Sequence, residues 1–171
     1  MNIDIQVLQA FQNMSGSGYS LARAFEQWST GATLEQIVEQ ITIDRFRMGE
    51  GCLAIAQQVL ASEVTTDDCY RAVISRSYYA MFQAGRGVVF HVHRQDVRDH
   101  TKLNKEVTAI LGDVSGEALH QWREYRNEAD YSPYPNLEGL TLHDAAHQAL
   151  IIATDFLDQC RVFLHGRGVS L

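Results

Sequence analysis

The chain predicts an all-α fold: an up-and-down helical bundle with an N-terminal helical extension. Three observations lead there. The only two prolines, Pro133 and Pro135, stand two residues apart, so the rest of the chain is free of that helix breaker. Apolar residues recur at three- and four-residue spacing along most of the 171 residues, and no stretch alternates long enough to make a strand. The segments between periodic stretches are short, which makes successive helices antiparallel neighbours.

Residues 2–14 and 19–28 read as short helices around the break Ser15-Gly16-Ser17-Gly18. That break has no lysine, third glycine or preceding strand to make it a phosphate loop, so it is a linker. Thr33 then caps a helix whose Leu34, Ile37, Val38 and Ile41 share one face. Gln36, three residues on, completes a capping box. Residues 1–43 form the extension, residues 44–166 the bundle and residues 167–171 a tail.

The bundle opens with a helix over residues 44–61. Thr66, Asp67 and Asp68 start a long second helix that ends near His93. Gly85 and Gly87 inside it each cost about 1 kcal/mol of helix propensity, which fits places where another helix must approach closely. A shorter helix covers residues 100–111, and Gly112 to Gly116 turns the chain. The next helix spans residues 116–130, with Leu119, Trp122, Tyr125 or Arg126, and Ala129 facing inward. Ser-Pro-Tyr-Pro-Asn ends it, because the residue before proline avoids helical geometry. Thr141 and Asp144 mark the start of the last helix. Its stripe runs from Leu142 and Ala146 through Phe156 and Cys160 to Leu164.

With 46% apolar residues the chain can fill a core of its size. No apolar run is long enough to span a bilayer, and the start, MNIDIQVLQAF, lacks a basic n-region and cleavage site, so a cytoplasmic location is expected. Cys52, Cys69 and Cys160 lack the paired spacing of a zinc site and are expected to be small buried thiols. The net charge of -7 disfavours indiscriminate nucleic-acid binding. Residues 71–105, however, hold Arg71, Arg76, Arg86, Arg94, Arg98, Lys102 and Lys105 against only Asp96 and Asp99. That stretch is either a local phosphate path or a set of partners for acidic neighbouring helices.

Two passages carry a family resemblance. One is Ala72 to Val89, AVISRSYYAMFQAGRGVV, with its Tyr-Tyr-Ala-x-Phe core. The other is Arg126-Asn127-Glu128-Ala129-Asp130-Tyr131. Together, in that order and spacing, they resemble the HEPN family of helical bundles, over about residues 44–164. The resemblance implies a HEPN-like bundle that forms a homodimer, associates with RNA or a nucleotide, and needs no cofactor or metal. His100, opening DHTKLNKEV, stands where a subgroup of that family carries a histidine.

Active members carry arginine, a polar residue, and histidine after a spacer of four to six residues. Such a pair suits RNA cleavage by its own 2′-hydroxyl, since imidazole moves protons near neutrality and guanidinium grips phosphate oxygens. Arg126 and Asn127 match the first half, but Tyr131 stands where the histidine would first fall, followed by Ser132 and Pro133. An ordinary phenol, at about 10, and an ordinary aspartate, at about 3.9, are poor substitutes for imidazole, so neither Tyr131 nor Asp130 replaces the histidine. A displaced histidine, His100 or His120, would have to serve. The candidate catalytic residues are thus Arg126, Asn127 and Tyr131; the candidate nucleotide- or RNA-binding residues are Arg126, Asn127, Asp130 and Arg76. Domains of this kind accompany small nucleotidyltransferases in toxin-antitoxin or defence systems, and some are nucleotidylated on a tyrosine near the motif. Tyr131 and Tyr134 are the corresponding candidates.

Two other patterns carry less. Arg86-Gly-Val-Val-Phe-His91 fits the arginine–histidine spacing, and so does His93, but both lie on the second helix with an apolar spacer. His143-Asp-Ala-Ala-His147 places two histidines one helical turn apart, with no third ligand in view. The expected function is a weakly active or inactive HEPN domain that binds RNA or a nucleotide beside a nucleotidyltransferase partner. The competing expectations are an active metal-independent endoribonuclease toxin and a non-catalytic helical oligomerisation adaptor. In the last case Arg126 merely packs its stem and pairs with an acid on a neighbouring helix.

Overall fold

Side-chain caps start most of the helices. The hydroxyls of Thr33, Thr66 and Thr141 and the carboxylate of Asp99 each accept a backbone N–H three residues on, at 3.2, 3.4, 3.1 and 2.7 Å. Each satisfies one of the donors that a helix start leaves open. The computed structural model describes residues 3–14, 18, 32–62 and 66–171. Within them the chain forms a bundle of α-helices and no strand. The helices are α1 (Ile5–Gln12), α2 (Leu34–Leu60), α3 (Asp67–His93), α4 (His100–Leu111), α5 (Asp113–Tyr131) and α6 (Leu142–His165). None of them is long and apolar enough to cross a membrane.

Helix α3 is the spine, packed against α2, α4, α5 and α6. Val73, Ile74, Tyr78, Met81 and Val88 are buried on it and meet Phe46 of α2, Leu103 and Val107 of α4, Trp122 of α5 and Phe156 of α6. Burying each such side chain is worth roughly 1.5–3 kcal/mol before chain entropy is subtracted. Gly87 admits the α2 backbone: a Cβ there would lie 3.3 Å from the Thr42 carbonyl oxygen. Gly85 instead faces the side chains of Val107 and Phe156.

Several expectations need adjusting. The boundary drawn at residues 43 and 44 falls inside the unbroken α2. What distinguishes the extension is a second small core. Ile3, Val7, Leu8, Phe11 and Met14 pack there against Leu34, Ile37, Val38, Ile41 and Phe90. The helix expected over residues 19–28, and Ser15, Gly16 and Ser17 of the linker, lie outside the described residues. The turn expected over Gly112–Gly116 shrinks to Gly112, whose φ of +95° only glycine adopts readily. Helix α5 begins at once, with Gly116 pressed against Thr108. The tail is anchored by Val169, which is 2% exposed. Only Cys160 is a fully buried thiol; Cys52 and Cys69 are half-buried.

Candidate functional site

Helix α5 turns Leu119, Trp122, Tyr125, Arg126 and Ala129 inward. Four of these are apolar or aromatic; the fifth carries a charge into the bundle. Arg126 is 6% exposed. Its guanidinium lies among three tyrosine rings, with centroids 5.4 Å away for Tyr78, 5.0 Å for Tyr79 and 5.9 Å for Tyr131. Such rings stabilise a cation through their negative faces. Nη2 donates to the Tyr79 hydroxyl at 2.9 Å, and Nη1 donates to Asn127 Oδ1 at 3.1 Å and to the Tyr131 hydroxyl at 3.4 Å. The third edge is covered but makes no hydrogen bond. Nε is buried without a hydrogen-bond partner, and Asp130 Oδ2 stands off at 3.6 Å, too far for a hydrogen bond. Ser75 Oγ holds that carboxylate oxygen at 3.2 Å.

Tyr78 leads from this arginine to a histidine. Its hydroxyl lies 2.5 Å from Nδ1 of His100, the first residue of α4. The imidazole stacks on Phe82 with ring centroids 4.3 Å apart. Burial pushes the phenol's pKa strongly upward, outweighing the Arg126 guanidinium, whose charge acts to lower it. The phenol therefore keeps its proton. Burial, followed by the charges of Arg126 and Arg123, lowers the His100 pKa, so the ring is neutral at pH 7. Tyr78 can donate to Nδ1 in the tautomer whose own proton sits on Nε2. A neutral ring in that tautomer offers a hydrogen-bond donor at Nε2 and no base.

The structure thus gathers Arg126, Asn127, Asp130, Tyr131 and His100 around Tyr78 and Tyr79. It leaves other candidates apart. His120 is exposed on α5, six residues before Arg126 and turned away from it. Arg76 is exposed on α3 and faces Cys52 of α2. Tyr134 lies beyond the end of α5 and is 90% exposed; Tyr131, at 76%, forms the outer wall over Arg126. The alternative pair separates: Arg86 binds Asp96, while His91 sits near Arg94, Arg167 and Glu39, and His93 pairs with Glu106 at 3.2 Å. His143 and His147 have ring centroids 4.5 Å apart, but no group of three or more metal-ligating side chains occurs among the described residues.

Four side chains that join the site were not among the site residues predicted from the sequence. Ser75 and Tyr79 are one helical turn apart on α3, a spacing that puts them on one face. Arg123, three residues before Arg126 on α5, donates to the Thr101 hydroxyl at 3.0 Å beside His100. Arg71 binds the end of α5, donating to the carbonyls of Ala129, Ser132 and Pro133 at 2.6, 2.8 and 3.3 Å. The basic stretch over residues 71–105 is accordingly divided, with Arg71 and Arg86 spent on internal partners. No protein-family model, curated protein or solved structure matches the chain.

Proposed function

We propose that this chain is a HEPN-type helical domain that binds a phosphate of RNA or a nucleotide at Arg126, with little or no nuclease activity of its own. In this reading it works as a homodimer beside a nucleotidyltransferase partner, in a toxin-antitoxin or defence-type system. The observation that supports binding is the unmet hydrogen bond at Arg126 Nε. A buried guanidinium whose Nε lacks a hydrogen-bond partner carries an unmet donor worth about 1–3 kcal/mol, and a phosphate oxygen that displaced the Asp130 carboxylate, now 3.6 Å away, would satisfy it. The His100 tautomer supports weak chemistry. Its Nδ1 is occupied by Tyr78, so the ring can donate to a phosphate but cannot take a proton from a 2′-hydroxyl without first breaking that bond.

The test is fluorescence anisotropy with a short labelled single-stranded RNA and with AMP as competitor, on wild type and Arg126→Gln. Circular dichroism checks that the variant stays folded. The wild type should bind, with affinity falling as salt rises, and the folded variant should lose binding at least tenfold. Equal binding by both proteins would defeat the proposal and leave Arg126 as a packing residue, a role its 6% exposure favours.

A second reading rests on His100. It is the histidine brought to the Arg126 cluster, and a nuclease would need one there. Under that reading purified protein cleaves RNA without added metal, and both Arg126→Gln and His100→Asn abolish cleavage while His120→Asn does not.

A further inference from the structure

Away from Arg126, one carboxylate carries three guanidinium groups. Asp96, in the segment between α3 and α4, has a side chain only 4% exposed. Its Oδ1 accepts from Arg86 Nε and Nη2 at 3.1 and 2.7 Å. Its Oδ2 accepts from Arg86 Nη2 at 2.5 Å, Arg45 Nη2 at 3.0 Å and Arg98 Nε at 3.2 Å. Arg45 and Arg86 share the amide oxygen of Gln83, each at 3.4 Å. Both of these arginine side chains are 8% exposed, whereas Arg98 is 67% exposed. One negative charge therefore faces three positive ones, two of them withdrawn from water. Burial and the neighbouring Arg86 charge bring the Arg45 pKa down to about 10, so it still keeps its proton near neutrality.

Beside this cluster lies a cavity of about 320 Å3 lined by Gln12, Asn13, Met14, Gln95, Asp96 and Arg98. Three neutral amides, of which Asn13 already spends one Nδ2 hydrogen on the Gln9 carbonyl at 2.8 Å, and one exposed guanidinium supply donors to it. Asp96 also forms part of the wall, but both its oxygens are already taken by arginines. Arg98 reaches across the cavity wall to Asn13 Oδ1 and leaves most of its five donors unspent. Among the described residues no aromatic side chain lines the cavity, so none of them would stack a base.

We infer that this cavity is a second anion site, distinct from Arg126, that takes a phosphate group held by Arg98 and the amides of Asn13 and Gln95. The uncompensated charge of Arg45 and Arg86 behind Asp96 supplies the field. The ligand class is a phosphate monoester or free phosphate, recognised through its oxygens alone. Orthophosphate and AMP should therefore bind alike, and adenosine should not bind.

The experiment is thermal unfolding of the full chain in orthophosphate, AMP, adenosine, or sodium chloride at matched ionic strength. Wild type, Arg98→Gln, Gln95→Glu and Arg126→Gln are compared. Orthophosphate should raise the wild-type Tm by a few degrees above the chloride control, and Arg126→Gln should keep that rise. Arg98→Gln should lose it, and so should Gln95→Glu, which adds a carboxylate to the wall. A rise absent from the wild type, or one that survives in Arg98→Gln and Gln95→Glu, overturns the inference. A rise lost only in Arg126→Gln places the anion at the first site, which sinks this inference while supporting the proposed function.

Discussion

The Tyr78 hydroxyl and Nδ1 of His100 stand 2.5 Å apart, joining α3 to the first residue of α4. The contact suits the neutral imidazole, whose bare Nδ1 can accept from Tyr78. Burial first, then the positive charges of Arg126, Arg123 and Arg86, act in the same direction against the opposing charge of Asp99.

A pH dependence follows. His100 has its folded-state pKa below the ordinary 6.5. Its unfolded form therefore takes up a proton first as pH falls. The stability it contributes is complete above about 6.5 and declines below that, until the folded pKa is reached. Thermal unfolding between pH 7.5 and 5.5 should show the loss in wild type and a shallower slope in His100→Asn. The half-buried His91, whose pKa is also lowered by burial and by Arg94, leaves a residual slope in the variant. An unchanged slope in His100→Asn would mean that the Tyr78 contact carries no proton linkage.

Tyr79→Phe removes the hydroxyl that receives Arg126 Nη2 at 2.9 Å and leaves the ring beneath the guanidinium. A hydrogen bond from a charged donor is worth roughly 1.5–3 kcal/mol, so urea unfolding should register a loss of that size. The same variant should bind phosphate more tightly if Arg126 is the ligand site, since a protein partner has been withdrawn from the cation. Anisotropy with labelled RNA measures this second effect.

The helices were legible because their signals are local. Thr33 with Gln36, Thr66 with two acids, and the Leu142-to-Leu164 stripe each lie within a few turns, and each specifies an element without knowledge of its neighbours. Within the site, Arg126, Asn127, Asp130 and Tyr131 share one segment and could be read together. The choice between His100 and His120 could not be made from motif spacing. Helical angle gives half of it, since six residues at about 100° each turn His120 well away from Arg126. The other half, that α4 starts against Tyr78, depends on how α3, α4 and α5 pack. Asp96 was harder still: Arg45 and Asp96 are 51 residues apart, and no periodicity relates them.

The glycines show the same limit. Sequence pointed to Gly85 and Gly87, yet among the described glycines an added Cβ would come nearest another helix's backbone at Gly49 of α2. A Cβ there would come within 2.8 Å of the Ala80 carbonyl oxygen and 3.2 Å of the Ala84 nitrogen. Both are backbone atoms and can move only if the helices separate. Gly49→Ala should cost roughly 1–3 kcal/mol in denaturant unfolding. Gly51→Ala, two residues on with nothing within 4 Å, should instead stabilise by about 0.5–1 kcal/mol through helix propensity.

Asp96→Asn tests how far the bundle depends on its three-arginine hub. The substitution keeps the shape and removes the one negative charge that, among the described residues, pairs with Arg45, Arg86 and Arg98. Losing one partner of a buried ion pair costs roughly 3–5 kcal/mol, and a shift of that size is expected here. Acid gives an independent check. Burial alone would raise the Asp96 pKa, but hydrogen bonds from Arg86 and the charges of Arg45 and Arg86 outweigh it and hold the group below its ordinary 3.8. Its contribution is therefore present above about 3.8 and lost as pH falls below that. Wild type should show a second acid transition there, well separated from the His100 range, and Asp96→Asn should lack it.

Arg71 ties the far end of the site together. Its Nη1 donates to Ala129 and Ser132 carbonyls, closing the last turn of α5, and Nη2 reaches Pro133 at the start of the loop. Carbonyls at a helix end have no intrahelical partner and accept cations well, so one side chain both caps α5 and holds the chain that leaves it. Tyr131 and Tyr134 sit on either side of that anchor. Arg71→Met keeps the length of the side chain and removes all three donors. The loop should loosen while the core around α3 stays intact, because the affected carbonyls lie at the surface end of α5. Hydrogen exchange should therefore accelerate over residues 130–137 and remain unchanged over residues 73–89. If exchange rises equally in both stretches, Arg71 supports the whole bundle, and its role as a local clamp on the site is wrong.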